Sequence, residues 1–372
     1  MHSGGVSTQA LPPANPDFPR FPCSAMLTHV IPHRLLLPSA ISAISAISAI
    51  LAASPCAASA TDLPGTIRTA QKAAVEVLVD GQLKGSGAFV DGDGTVITAS
   101  HIFKAPGARF EVIDASGKRL PAKRVAIDKG HDLLLLEVPG WKGSGHAFLG
   151  IAGAIPPVAS PIYNLGNALR VHATVMGGIV SQEHTTFSEL TESNGYIENF
   201  LVAGMTPSLT SGGVWIDARG RIVGVQNGRL NDGKVTSGLA IIAPPKAVAR
   251  LVATRIDAAT PDFGAWVWEV WTTDKSVIAA LPEGTEGLVV TWLRKGGPLE
   301  SAGIKRLDTI VALDGKPVRR RDDLIRLVRA HRPGDNVTLD VLPQHAKSPK
   351  KVVVTLEGQE EFWRRANAEV SK

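Results

Sequence analysis

The sequence predicts a mainly β protein with a smaller α+β unit at its carboxyl end. Three observations carry this. The chain has 372 residues, 44% of them hydrophobic, which supplies cores for two globular domains. From Ala73 to about Ile242 it reads as short apolar strands broken by turns, with little helical periodicity. From Phe263 onward the pattern changes to strands around one amphipathic helix.

The elements follow in order. Residues 73–79 form a strand, Asp80-Gly81 turns the chain, and residues 85–90 form the next. Asp91-Gly92-Asp93-Gly94 is a hairpin signal, because Asp and Gly tolerate the positive φ of tight turns. Thr95–Thr98 leaves that turn as a buried strand. Further strands are predicted at Arg109–Ile113, Arg124–Ile127, Leu133–Val138, Gly178–Ser181, Phe200–Ala203, Val214–Ile216 and Ile222–Gln226. Pro244-Pro245 opens a helix, since the first helical positions need no N–H donor. Ala258–Asp262 reads as a linker. Beyond it, strands are predicted at Gly287–Thr291, Asp308–Val318, Val337–Leu342 and Lys351–Leu356, with a helix over Asp322–Ala330. The reading divides the chain into an extension and signal peptide (1–60), a β domain (61–257), a linker and second domain (258–357) and a charged tail (358–372).

The amino terminus points to export. Met26 is a candidate start, Arg34 and two histidines give a weakly cationic head, and Leu35–Ala53 is apolar and low in complexity. Ala58-Ser59-Ala60 supplies the small-x-small pattern of a cleavage site after Ala60. The alternative is a retained membrane anchor, since the apolar run approaches spanning length. Pro55 directly before Cys56 argues against a lipoprotein site. Both cysteines, Cys23 and Cys56, precede the cleavage point, so the mature chain has neither a cysteine nucleophile nor a Cys-based metal site. The net charge of +5 is scattered, with no basic stripe for a nucleic acid. His172 and His184 have no ligand partners at useful spacing, so no metal or cofactor is expected.

The chemistry lies in three segments. A serine hydroxyl needs an imidazole to take its proton, and the imidazole needs a carboxylate to fix its tautomer. His101 follows the buried strand 95–100. Asp132 opens the run Leu133–Leu136, and that run fixes it, rather than His131, as the strand-mouth residue. Ser211 is followed by Gly212 and Gly213, which allow close backbone approach. Ser208 is a rival hydroxyl without that context.

Together these segments resemble the HtrA/Deg family of trypsin-like serine proteases. Gly85–Val90 with Val96–His101 resembles its histidine motif, Asp128-x-x-x-Asp132-Leu133-x-Leu135-Leu136 its aspartate motif and Ser211-Gly212-Gly213 its serine motif. Gly178–Ser181 and Gly238–Ile242 match in order, and residues 263–357 resemble the PDZ domain that follows such proteases. The resemblance implies two packed six-stranded barrels of the chymotrypsin fold, then a small α+β PDZ domain. It implies His101 as general base, Asp132 as orienting carboxylate, Ser211 as nucleophile and the backbone N–H groups of Leu209 and Ser211 as the oxyanion hole. Met205 would line an apolar first specificity pocket. Phe263, Gly264, Ala265 and Trp266 would receive a peptide carboxylate, with Leu324 and Val328 lining the groove for an added strand.

On this reading the chain is an exported, periplasmic endopeptidase acting on unfolded or mislocalised polypeptides, with a PDZ domain that takes peptide C-termini. Ser181–Phe200 resembles the family's sensor loop. The family is usually trimeric, whereas Thr61–Lys72 lacks the aromatics that cement a homotrimer. Three departures stand against the pattern. Leu209 and Leu307 each replace a glycine, and Ala203 replaces an acidic residue. Leu209 favours an alternative, a catalytically impaired peptide-binding or chaperone-like regulator, because a Cβ there opposes the backbone that aims its N–H into the hole.

Overall fold

The structure is a computed structural model that describes residues 62–103, 107–190, 195–232 and 235–359. The readings of a signal peptide and of most of the charged tail fall outside these residues. A short helix, α1 (Leu63–Gln71), precedes the strands; Asp62 caps it by accepting from Gly65 N–H at 3.0 Å.

The first barrel closes from six antiparallel strands: β1 (Ala74–Val79), β2 (Gln82–Phe89), β3 (Thr95–Ala99), β4 (Phe110–Ile113), β5 (Arg119–Asp128) and β6 (Leu133–Glu137). Its run of four leucines has a simple cause. Strand residues alternate faces, and in β6 both faces are covered. Leu134 and Leu136 fill the barrel with Val77, Phe89, Val96 and Ile127, while Leu133 and Leu135 pack outward with Ile97, Leu165, Val214 and Val248. Truncating any of them to Ala removes about 2–5 kcal/mol.

The second barrel uses β7 (Pro161–Gly166), β8 (Thr174–Val180), β9 (Thr186–Leu190), β10 (Gly195–Gly204), β11 (Val214–Ile216), β12 (Ile222–Asp232) and β13 (Val235–Ala243). Pairing of β10 with β13 closes a six-stranded ring around Trp215, Phe200, Ile162 and Ile242. Strand β9 lies outside that ring and pairs, among the described strands, with the first half of β10 alone. Helix α2 (Pro245–Thr254) then packs Val248 and Leu251 against the outer leucines of β6.

The carboxyl-terminal domain holds β14 (Pro261–Asp262), β15 (Ala265–Glu269), α3 (Lys275–Ala279), β16 (Leu288–Leu293), α4 (Pro298–Ser301), β17 (Thr309–Leu313), β18 (Lys316–Pro317), α5 (Arg321–Arg329), β19 (Asn336–Leu342), β20 (Lys350–Thr355) and β21 (Glu357–Gly358). Its main sheet runs β15-β16-β17-β19-β20, so β15 is an edge strand; β14 pairs with β21 in a separate ribbon. Two aromatic side chains of the β9–β10 hairpin, Phe187 and Tyr196, belong to the core of this domain, buried with Val267, Leu324 and Val328. The hairpin therefore fills the space between β15 and α5.

Candidate active site

The triad residues come from three places that the barrels bring together. His101 lies in the single 3-10 turn Ser100–Ile102 after β3, and Asp132 ends the turn between β5 and β6. Ser211 sits in the loop between β10 and β11. His101 Nδ1 is 2.6 Å from Asp132 Oδ2, and His101 Nε2 is 3.0 Å from Ser211 Oγ. The second oxygen of Asp132 accepts from Ser100 Oγ at 2.7 Å and from the His101 N–H at 2.9 Å. Asp132 is buried, so these donors replace its water. The arrangement places Nδ1–H on the carboxylate and leaves the Nε2 lone pair facing the hydroxyl, the state a general base requires. Lys129, also buried, reaches the same network with Nζ 3.4 Å from Ser100 Oγ.

Two glycines let the barrels meet behind the serine. Ser86 N–H donates to Ser211 O at 2.8 Å, and a Cβ on Gly85 would stand 2.5 Å from that oxygen. Gly212 has φ of +83°, and a Cβ there would collide with Thr98 Oγ1 and Ser86 O.

Leu209 adopts φ of +74°, the left-handed region that its glycine counterpart would take freely. For a leucine this costs about 1–2 kcal/mol. Two contacts hold the segment: Ser86 Oγ donates to Leu209 O at 2.9 Å, and Leu169 N–H donates to Ser208 O at 3.0 Å. A trans peptide points C=O and the next N–H in opposite directions. The Leu209 N–H therefore faces away from Leu169. Among the described residues neither the Leu209 nor the Ser211 N–H has a protein acceptor, so both donors are available to a substrate oxygen.

A cleft of about 760 Å³ opens beside the triad. Leu201, Ile241, Gln226 and Asn227 line it, as do Trp268 and Arg321 from the carboxyl-terminal domain. Met205 is not on this wall. It follows the end of β10 and points outward, 72% exposed.

The carboxyl-terminal site residues are less open than the sequence suggests. Phe263, Ala265, Leu324 and Val328 are buried, and Gly264 has φ of +72°. Trp266 stacks at a tilt on Trp292, 4.8 Å between centroids. Tyr196 Oη accepts from Val267 N–H at 2.9 Å, on the free edge of β15 where an added strand would pair. Arg321 and Arg329 of α5 donate to the carbonyls of Phe187 and Tyr196, each at 2.7 Å. Behind the loop at 263–266, Arg294 is buried between Asp262 and Glu357.

The sequence reading did not single out Ser86, Ser100 or Tyr196. The serines lie inside quoted motifs, and a polar residue within a buried apolar strand is the signal that would have found them. Tyr196 has no such signal, because its partner is in another domain. Among the described residues no group of three His, Asp or Glu side chains is arranged to hold a metal ion.

Residues 85–225 match the Trypsin-like peptidase domain family, and residues 272–355 match the PDZ domain family. The chain pairs a trypsin-like peptidase domain with one PDZ domain. A "Probable periplasmic serine endoprotease DegP-like" of Rhizobium meliloti is 27% identical over 282 residues, 72% of this chain and 55% of that protein. One of the same name from Chlamydia trachomatis is 24% identical over 274 residues, 73% of this chain and 54% of that protein. The chain thus spans about half the length of the curated relatives it matches. The solved structure "HtrA-type protease AlgW with decapeptide" superposes with TM-score 0.58 at 18% identity, covering 80% of this chain and 98% of that one. The serine endoprotease from Yersinia pestis gives TM-score 0.54 at 19% identity over the same shares, 80% and 98%. These structures share the fold.

Proposed function

We infer that the chain is an exported serine endopeptidase that cleaves unfolded polypeptides in the periplasm. The observation that carries this is the 3.0 Å approach of His101 Nε2 to Ser211 Oγ with Asp132 behind the ring. In the proposed reaction Ser211 Oγ attacks the scissile carbonyl carbon as its proton passes to His101 Nε2. The oxyanion takes the Leu209 and Ser211 N–H groups, an interaction typically worth about a hundredfold or more in turnover per donor. His101 then returns the proton to the leaving amine. Water, deprotonated by the same nitrogen, hydrolyses the acyl-enzyme. We assign the first pocket to Leu201 and Ile241, which keeps it apolar while leaving Met205 in solvent.

In the same reading the PDZ domain takes a peptide C-terminus as a strand added to β15. Tyr196 stands on that edge, so an incoming peptide displaces it. A fluorophosphonate probe tests the enzyme reading. Labelling of the wild-type chain that is lost in His101→Ala, together with casein cleavage lost in Ser211→Ala, is expected. An unlabelled wild type, with no cleavage in the presence of C-terminal peptides, would overturn it. The second reading, a peptide-binding regulator with an impaired hole, is favoured by the strained φ at Leu209. Leu209→Gly decides it: activity that appears only in the glycine variant would make the natural chain the regulator.

A further inference from the structure

His131, next to the triad carboxylate, faces away from it into a second charged cluster. Its Nδ1 is 3.0 Å from Asp128 Oδ2 and its Nε2 is 3.4 Å from Glu198 Oε2. A neutral imidazole has one N–H and one lone pair, so one nitrogen would point a lone pair at a carboxylate oxygen. Only the imidazolium donates on both sides. The other charges facing the ring are Arg250 of α2 and Arg329 of α5. Arg250 Nη2 lies 2.7 Å from Asp128 Oδ2 and 3.4 Å from His131 Nδ1; Arg329 is the PDZ-domain member.

We propose that His131 is a positioning residue for the reaction: bridging Asp128 and Glu198, its imidazolium fastens the Asp128–Asp132 turn to the second barrel and so fixes where the Asp132 carboxylate stands. The proposal rests on reading Asp132 as the orienting carboxylate. The turn is held to the first barrel by Ser100 N–H on Asp132 O at 3.0 Å and by the Ser100 Oγ and His101 N–H donors on Asp132 Oδ1, and within itself by His131 N–H on Asp128 Oδ1 at 3.2 Å. It is five residues long, ends with Asp132 at φ of +53°, and closes on two hydrogen bonds of 3.3 Å, from His131 and Asp132 N–H to the carbonyls of Asp128 and Lys129. Two backbone ties lead from it to the second barrel. Glu198 N–H donates to Gly130 O at 2.8 Å, and Asn227 Nδ2 donates to His131 O at 2.7 Å. Glu198 is on β10 and Asn227 on β12 at the cleft wall. The ionic bridge thus runs between the two barrels, beside the joint that brings Ser211 to His101.

The electrostatics agree with the geometry. Burial, the largest single influence, pushes His131 toward its neutral form, but the charge and hydrogen bond of Asp128 and the bond to Glu198 together raise its pKa on balance. The bond from His131 holds Glu198 down to about 2, despite partial burial. Burial pushes Asp128 up, yet the charges of His131 and Arg250 hold it below the usual carboxylate range. The sign follows from linkage. With a folded pKa above the unfolded value of about 6.5, the contribution of His131 to stability is complete below that value and lost as pH rises through the raised one. Turnover, which needs His101 neutral, should therefore carry an alkaline limb set by His131.

His131→Gln in the full chain is the test. Against a peptide substrate, kcat is expected to fall roughly tenfold near neutrality, about 1.36 kcal/mol of barrier, with KM little changed. The two profiles should converge at high pH, where the wild-type ring is neutral. In a Ser211→Ala background, which needs no activity, the drop in Tm caused by His131→Gln should be largest below about pH 6.5 and shrink above it. The His131 ring in the same background should titrate above about 6.5 by NMR, and Glu198→Gln should lower that value. A kcat ratio constant across pH, or a ring pKa at or below about 6.5, would overturn the proposal. If the glutamine variant does not fold, the NMR titration with and without Glu198→Gln still decides it. A dead wild type with a high His131 pKa would sink the peptidase reading and leave the ionic bridge intact.

Discussion

One five-residue turn serves two histidines. On one side Asp132 meets His101, whose other nitrogen faces the Ser211 hydroxyl at 3.0 Å. On the other side Asp128 meets His131, whose other nitrogen faces Glu198 at 3.4 Å. The two Asp–His pairs are nearly alike; the third member differs. A histidine between a carboxylate and a hydroxyl has a proton to move, since the hydroxyl can donate and the ring can accept. A histidine between two carboxylates has a proton to keep. Fold and burial give both pairs a rigid frame, so the acceptor–donor order across the ring separates chemistry from support.

The sharpest way to test that contrast is to remove the movable proton. Ser211→Ala or His101→Ala should each cut kcat by roughly 10⁶-fold, as loss of a triad member does elsewhere, while calorimetric Tm stays close to wild type. Asp132→Asn comes next, with about 10⁴-fold loss, because the amide favours the wrong ring tautomer; an unchanged pH profile at that residual rate would blur the distinction. Leu209→Gly is a smaller effect of opposite sign. Relieving about 1–2 kcal/mol of backbone strain should raise acylation, measured by burst kinetics, by up to roughly tenfold. Tyr196→Phe removes the hydroxyl from Val267, lowers stability by about 1 kcal/mol, and should raise the affinity of a labelled C-terminal peptide several-fold in anisotropy titrations. Leu307→Gly should be smallest. Leu307 also has φ of +74°, but it serves a turn outside the cleft, so a shift in Tm with no change in kcat is expected.

Leu209 and Leu307 mark the limit of what the sequence can say. Their departure from glycine is visible at once, yet the backbone takes the glycine conformation at both, because neighbouring hydrogen bonds over-determine it. Strand context picks out His101 and Asp132 and the following glycines pick out Ser211, while their meeting is implied by the family resemblance; the structure sets Asp132 and Ser211 2.6 and 3.0 Å from the two nitrogens of the His101 ring. Elements buried by a remote partner were not legible. Thr186–Leu190 and the first half of β10 are strands whose aromatic side chains, Phe187 and Tyr196, are covered by the PDZ domain, so neither composition nor periodicity separates them from a polar loop. The predicted strand Phe200–Ala203 accordingly grows to Gly195–Gly204, and the predicted Arg124–Ile127 to Arg119–Asp128, where exposed polar residues continue the ladder. His131 was read only as a rival for register, because its two carboxylates are 3 and 67 residues away in the chain.

The aromatic hairpin seated on β15 has a consequence for solubility. An edge strand with open N–H and C=O groups is a template for unwanted pairing between molecules. Here Tyr196 caps that edge and Phe187 is hidden with it. Cutting the chain near residue 260 would strip cover from both sides at once, leaving two greasy aromatics on one fragment and a bare strand on the other. Each half should then be more prone to self-association than the intact protein, so the junction works as mutual protection against aggregation.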